Sequence, residues 1–218
     1  MNHNYQKELE SILQQEKTRG QRLLLHSCCA PCSSYVLSYL QHDFRITVFY
    51  FNPNITQAEE YERRAAEQAR LIGIMNEERK EEQTRGKGRE TFPIGIWQGE
   101  YRPEAFFEAV RGLEQCPEGG ERCRHCFSLR LEETARLARE QGFDYFTTTL
   151  TISPLKNAPL LNEIGQAMGE RYGIAFLPSD FKKKDGFKKS IELSRRYDLY
   201  RQDYCGCVFS RTEREKVM

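Results

Sequence analysis

Seven of the chain's eight cysteines fall into three tight groups. Cys28, Cys29 and Cys32 stand in "HSCCAPCSS", Cys123 and Cys126 in "ERCRHCFSLR", and Cys205 and Cys207 in "DYCGCVFS". A Cys-x-x-Cys pair at a helix start lets two thiolates converge on one ion, and the helix amino end favours their charge. A closed zinc site or a [4Fe–4S] cluster needs four sulfurs. Cys123 and Cys126 offer two. Cys28 and Cys29 offer two more, because neighbours in a tight non-helical loop can both turn inward. The plainer alternatives are a structural Cys₄ zinc site and buried thiols that only pack.

Cys205-x-Cys207 is a different device. A disulfide across one intervening residue closes a small, strained ring, and strained bridges are readily reduced. Gly206 supplies the backbone freedom that such a ring needs. The pair can equally serve as two metal ligands. Cys32 is open to three roles: ligand to a second metal, proton donor or spare thiol. Cys116 reads as incidental. The other candidates for proton delivery are His26, Asp144, Asp180, Asp185, Asp203 and Tyr204, although aspartates more often cap helices or sit solvated in loops.

The elements that must position these groups alternate. A helix near residues 5–17 carries Leu9, Ile12 and Leu13 at helical spacing and reads as an accessory element. "RLLLHS" is a short buried strand that runs into the first cysteine loop, and a helix through Val36 and Leu40 follows. "FRITVFYFN" is a second strand. Thr56 and Glu59 read as a capping box for a helix through "AEEYERRAAEQARLIG", with exposed Glu59–Arg63 and Glu60–Arg64 pairs. The stretch 74–101 is polar and shows no clear period. Pro103 opens a helix, another runs from Cys123 to Gly142, "FDYFTTTLTIS" is a third strand, and "NAPLLNEIGQAMGERYG" is a helix. "IAFLPSD" is a fourth strand and "KKSIELSRRYDLY" a last helix. The pattern predicts one α/β domain over 1–218, with a mainly parallel sheet flanked by helices and residues 1–20 as its accessory part. In such sheets, sites form beyond the strands' carboxyl ends, where the first cysteine loop lies. That loop lacks the glycines of a phosphate cradle and offers thiols instead.

Composition bounds the rest. The chain has 218 residues, is 39% hydrophobic and 30% charged, and carries a net charge of +1, which suits a folded protein and leaves any basic patch local. No apolar run nears the roughly 18 residues of a membrane span. The first residues carry no hydrophobic signal core, so the expectation is a cytoplasmic protein whose cysteines serve metal or redox chemistry.

"HSCCAPCSS", "PEGGERCRHCFSLRLEETA", "FTTTLTISPLKN" and "YCGCVFS", in that order, resemble the QueH family of cobalamin-independent epoxyqueuosine reductases from about Leu23 to Ser210. The resemblance implies a HUP-like (nucleotide-hydrolase-like) fold. It also implies the last step of queuosine biosynthesis, in which the epoxide of epoxyqueuosine at the wobble position of tRNA is reduced to an alkene. It implies a [4Fe–4S] cluster on Cys28, Cys29, Cys123 and Cys126, a redox-active Cys205/Cys207 pair, and a second, mononuclear iron beside the cluster. The resemblance implies a carboxylate ligand to that iron at the position of Cys32, where this chain departs from the pattern with a sulfur. The expected partners are tRNA carrying epoxyqueuosine and an external electron donor, without cobalamin. Cys32 or Asp203 would protonate the leaving oxygen. Lys182, Lys183, Lys184, Lys188 and Lys189 would meet RNA phosphates, although a lysine run is ordinarily a solvated face. Trp97, Tyr101 or Phe187 would stack an unpaired base. The competing classes are a zinc-stapled tRNA-binding module, redox-inert and colourless, and a thiol oxidoreductase acting on proteins, which would need neither cluster nor RNA.

Overall fold

Strand β1 (Gln21–His26) turns Leu23 and Leu25 to one face of a sheet and Leu24 to the other, and all three are fully buried. A strand buried on both sides is a strand covered by helices on both sides. In the computed structural model, which describes residues 3–86 and 91–216, this is what surrounds β1. On one face lie α1 (Tyr5–Leu13), α2 (Ala30–Leu40) and α3 (Ala58–Thr84), which bring Leu9, Val36, Leu37, Leu71, Ile72 and Met75 against Leu23, Leu25, Ile46 and Val48. On the other lie α5 (Glu121–Glu140) and α6 (Ala158–Tyr172), with Ala135, Ala138 and Met168 packed near Leu24, Phe49 and Phe146.

The sheet holds five strands, all parallel: β1, β2 (Phe44–Tyr50), β3 (Gly95–Gln98), β4 (Tyr145–Thr148) and β5 (Ala175–Phe176), in the order β3-β2-β1-β4-β5. This is the expected α/β class with a parallel sheet. The strand order reverses between β1 and β4, and the crevice beyond the carboxyl ends at such a reversal is where open α/β sheets bind ligands. His26 at the end of β1 is paired with Thr148 at the end of β4, so the chain leaves both strands into the same crevice. Three further helices complete the chain: α4 (Pro103–Ala109), α7 (Gly186–Arg196) and α8 (Val208–Glu215).

Several expectations are corrected. Helix α3 does not stop near Gly73 but continues to Thr84. Gly73 is exposed with open space around it, and an exposed interior glycine costs only about 1 kcal/mol while Leu71, Ile72 and Met75 bury the opposite face. The polar stretch also holds β3, a short edge strand whose Gly95 lies against Thr47, and residues 87–90 of that stretch lie outside the described residues. There is no Thr56–Glu59 capping box, because α3 starts at Ala58 with Gln57 as its uncapped N-cap. Arg64 is not exposed: it is 1% accessible, and its pair with Glu60 is internal. Helix α8 was unexpected, being charged on most sides and capped by the Cys207 sulfur, which accepts from the Ser210 N–H at 3.4 Å.

Helix α7 meets α2 at close range through Gly186, the first residue of α7. A Cβ there would stand 1.8 Å from the Phe181 carbonyl oxygen and 2.7 Å from the Tyr35 ring. A backbone carbonyl cannot swing aside as a side chain can. Gly186→Ala is therefore expected to lift α7 off α2 and destabilise the protein by about 1–3 kcal/mol, the usual range for overpacking. Urea denaturation would register this as a lower midpoint at unchanged slope.

Candidate metal centre

The first cysteine loop is held from beneath by buried polar groups. Ser27 Oγ and Ser33 Oγ each donate to Gln68 Oε1 of α3 at 2.7 Å, Ser33 Oγ also lies 3.0 Å from the Cys29 carbonyl, and Asn52 Nδ2 donates to the Ser27 carbonyl at 2.8 Å. With its backbone so fixed, the loop turns three sulfurs together. Cys28 Sγ lies 3.6 Å from Cys29 Sγ, and Cys32, one turn into α2, completes a group whose sulfurs all stand within 4.8 Å of one another. Hydrogen bonds from Cys29 and Cys32 hold the Cys28 thiol well below its ordinary range, and the same bonds to Cys28 push Cys29 up to about 12 and Cys32 up as well, so the three thiols compete for ionisation. A cation on this group relieves that conflict, because metal-bound sulfur is thiolate.

The second group comes from the first turn of α5. Gly119 N–H donates to Cys123 Sγ at 3.2 Å, and the half-buried Cys123 packs with Cys28 against the same apolar cluster of Phe127, Leu131 and Leu150. Cys126 is buried, and burial pushes its thiol up to about 12. Arg122 locks this turn in place. It donates to the carbonyls of Glu114 (2.9 Å) and Cys116, and pairs with Glu213 of α8 at 2.7 Å. Cys116 thus contributes its backbone, and its half-buried sulfur joins none of the three groups.

The third group is delivered by the tail before α8. Arg64 Nη1 donates to the Cys205 carbonyl at 3.1 Å, its guanidinium faces the Tyr204 ring at 5.2 Å, and Glu60 balances its charge at 2.6 Å. Gly206 sits at φ 125°, and a Cβ there would come within 2.9 Å of Ile55 and 3.3 Å of Arg64 Nη1. Its carbonyl accepts from the Thr56 N–H at 3.3 Å. Only glycine fits this position. Cys205 and Cys207 are both free thiols.

Two adjoining cavities join the groups. A narrow one is lined by Cys123, Cys126, Cys205 and Cys207, and a wider one of about 390 Å³ by Cys28, Cys29, Cys32 and Cys205. Cys205, Leu155 and Lys156 line both. Asp203 is exposed on the wider cavity. The lysine run lies nearby but is partly spoken for. Lys182 pairs with Asp180 at 2.9 Å, Lys184 pairs with Glu10, and Lys189 lies 5.6 Å over the Tyr35 ring, while Lys183 and Lys188 are exposed. Trp97 packs edge-on to Phe143 and Tyr101 against Tyr61, whereas Phe187 lines the wider cavity.

Two cations in the centre carried no signal that the reading above used. Arg130 is fully buried, with Nη1 directed at Cys126 Sγ (3.9 Å), Nη2 donating to Asn52 Oδ1 (2.6 Å) and Nε to His26 Nε2 (3.2 Å). None of these partners is a carboxylate. His26 cannot supply a proton to a substrate. It is fully buried, and burial together with the Arg130 charge lowers its pKa to about 3, so the ring is neutral, with Nδ1 bonded to Thr148 Oγ1 at 2.9 Å. The available clue to Arg130 was its place four residues after Cys126, on the same face of α5. Lys156 is half-buried. Burial pulls its ammonium down, but the sulfurs of Cys205, Cys28 and Cys32 outweigh that, and its pKa rises.

The family model for epoxyqueuosine reductase QueH matches residues 23–213. Curated relatives bear the same name. The protein from Staphylococcus epidermidis is 42% identical over 95% of this chain and 84% of its own length. The one from Streptococcus pyogenes is 42% identical over 93% and 75%, and the one from Thermotoga maritima 35% identical over 89% and 92%. A chain matched over nearly its whole length, with all three cysteine groups inside the matched span, belongs to the epoxyqueuosine reductase QueH family.

Proposed function

We propose that this protein reduces the epoxide of epoxyqueuosine in tRNA to the alkene of queuosine, with Cys28, Cys29, Cys123 and Cys126 holding a [4Fe–4S] cluster. The observation that carries the reading is Arg130. A fully buried guanidinium without a carboxylate costs several kcal/mol unless an anion shares its site. Four iron-bound thiolates are such an anion, and Arg130 already directs a donor at one of the sulfurs. The residues fit the group. Cys32, in the Cys28–Cys29 sulfur group, offers a ligand for a second iron beside it.

When bound, the cluster supplies electrons one at a time and the second iron a Lewis acid for the epoxide oxygen. Converting the epoxide to alkene and water consumes two electrons and two protons. Oxidation of the Cys205–Cys207 dithiol to a disulfide releases two of each, so the exchange balances, and an external electron donor restores the dithiol. Cys205 lines both cavities and is placed to connect the cysteine groups with a substrate in the wider one. Asp203, exposed at that cavity, is the residue offered for proton delivery, with the Cys32 thiol as the alternative where Cys32 binds no iron. Lys183 and Lys188, with Lys182, Lys184 and Lys189 behind them, would meet RNA phosphates. No described helix is long and apolar enough to cross a membrane, and a tRNA substrate supports a cytoplasmic reaction. No step calls on cobalamin.

Anaerobic reconstitution followed by iron and sulfide analysis tests the ligand set. Cys123→Ser and Cys126→Ser should each lose most cluster iron and the broad absorbance, and full iron retention by both would overturn the assignment. Cys207→Ser should keep its iron, because serine can still cap α8. It should also fail in multiple turnover, while thiol alkylation and mass spectrometry of oxidised wild-type protein find a 205–207 disulfide. Asn52→Asp sets a carboxylate against the Arg130 guanidinium with little change of shape, while giving up the donor to the Ser27 carbonyl. The cluster should become harder to reduce, its reduced-to-oxidised ratio at a fixed potential falling about tenfold, or about 59 mV for one electron. Spectroelectrochemistry reads that directly.

A further inference from the structure

Leu155 is 80% exposed, the most exposed of the large apolar side chains among the described residues, and it stands where the two cavities meet. Its position is imposed. The loop leaves β4 through a single 3₁₀ turn (Thr149–Ile152), and within it Leu155 N–H bonds to Ser153 Oγ at 3.3 Å and Lys156 N–H to the Ser153 carbonyl at 3.2 Å. Asn157 then caps α6, accepting from Leu160 N–H at 3.0 Å. A loop tied at both ends holds a leucine in water while the next residue, Lys156, is half-buried and lines both cavities. Around the wider cavity stand Phe187 and two exposed arginines, Arg201 and Arg214. Arg201 gives one nitrogen to Ser194 Oγ at 3.0 Å, and Arg214 forms no ion pair among the described residues. An apolar wedge beside exposed guanidinium groups suits one kind of ligand, a nucleotide pulled out of its stack with phosphates on either side.

We propose that Leu155 is the wedge that replaces the stacking neighbour of the tRNA nucleotide entering the wider cavity, while Arg201 and Arg214 take the flanking phosphates. The inference rests on the tRNA reading above. It assigns to the Ser153–Asn157 loop the separation of the target base from the rest of the anticodon loop, a step that precedes the chemistry and uses none of the cysteines.

The test is binding of an anticodon stem-loop RNA that carries 2-aminopurine at the wobble position, to full-length reconstituted protein, followed by fluorescence intensity and anisotropy across a salt series. Wild-type protein should bind and raise the fluorescence, because 2-aminopurine brightens when it leaves the stack. Leu155→Ala should bind about fivefold more weakly with an unchanged salt slope and lose most of the fluorescence rise, since it removes a base contact and no charge. Leu155→Met should retain the rise. Arg214→Ala should lower the salt slope by about one and keep the rise. Leu155→Ala leaves the fold intact, as its exposure requires, and an unchanged melting curve and iron content verify this. A full fluorescence rise with Leu155→Ala, while wild-type protein binds, would refute the wedge and leave the tRNA reading standing. Failure of wild-type protein to bind the RNA at all would bring down both.

Discussion

A guanidinium sealed from water must be answered by something negative, and among the described residues the acidic groups that act on Arg130 are the thiols of Cys126, Cys28 and Cys205. His26, Asn52 and Cys126 satisfy its donors but not its charge. The arrangement binds the fold to the site. Arg130 comes from α5, His26 from the end of β1 and Asn52 from the end of β2, so one side chain joins the sheet's carboxyl edge to the helix that carries Cys123 and Cys126. Asn52 continues the chain of contacts to the Ser27 carbonyl, next to Cys28. Two cysteine groups nearly 100 residues apart in sequence are thereby set in register by one buried cation.

Arg64 and Arg122 do comparable work with a different balance. Both are almost fully buried, but each has a glutamate, Glu60 and Glu213. Their charge is settled locally, and their remaining donors hold backbone carbonyls near the cysteines. Of the three buried arginines among the described residues, two therefore act as struts, whereas Arg130 keeps an unspent positive charge beside sulfur. The distinction comes from partners, since all three are equally out of water.

Much of this was legible in the chain. The alternation of apolar strands and amphipathic helices gave the α/β class, and the three cysteine groups stood out by spacing alone. What was hidden has physical reasons. β3 is short, glycine-started and at an edge, so it carries little apolar signal. Gly73 looks like a helix end but costs too little to stop α3. Arg64 reads as a surface i,i+4 partner of Glu60, because the pattern of a helix does not reveal that a distant tail will cover it. Arg130 and Lys156 matter through charge in a dry site, and burial is a property of the whole fold. The three-sulfur grouping of Cys28, Cys29 and Cys32 likewise depends on where the first turn of α2 points Cys32.

The Arg64–Cys205 contact spans 141 residues, which has a bearing on how the protein is made. During synthesis, Cys28, Cys29 and Cys32 leave the ribosome first, and Cys123 and Cys126 follow with the sheet still lacking β4 and β5. The wall that bears Cys205, Gly206 and Cys207 arrives last of the three groups, and it docks on Arg64, Ile55 and Thr56, all long since translated. Contacts of such separation form late, because the intervening chain must be ordered first. The nascent chain thus presents Cys28, Cys29, Cys32, Cys123 and Cys126 before the Cys205–Cys207 segment closes over them, so a metal held by these groups would find its widest access before that segment docks.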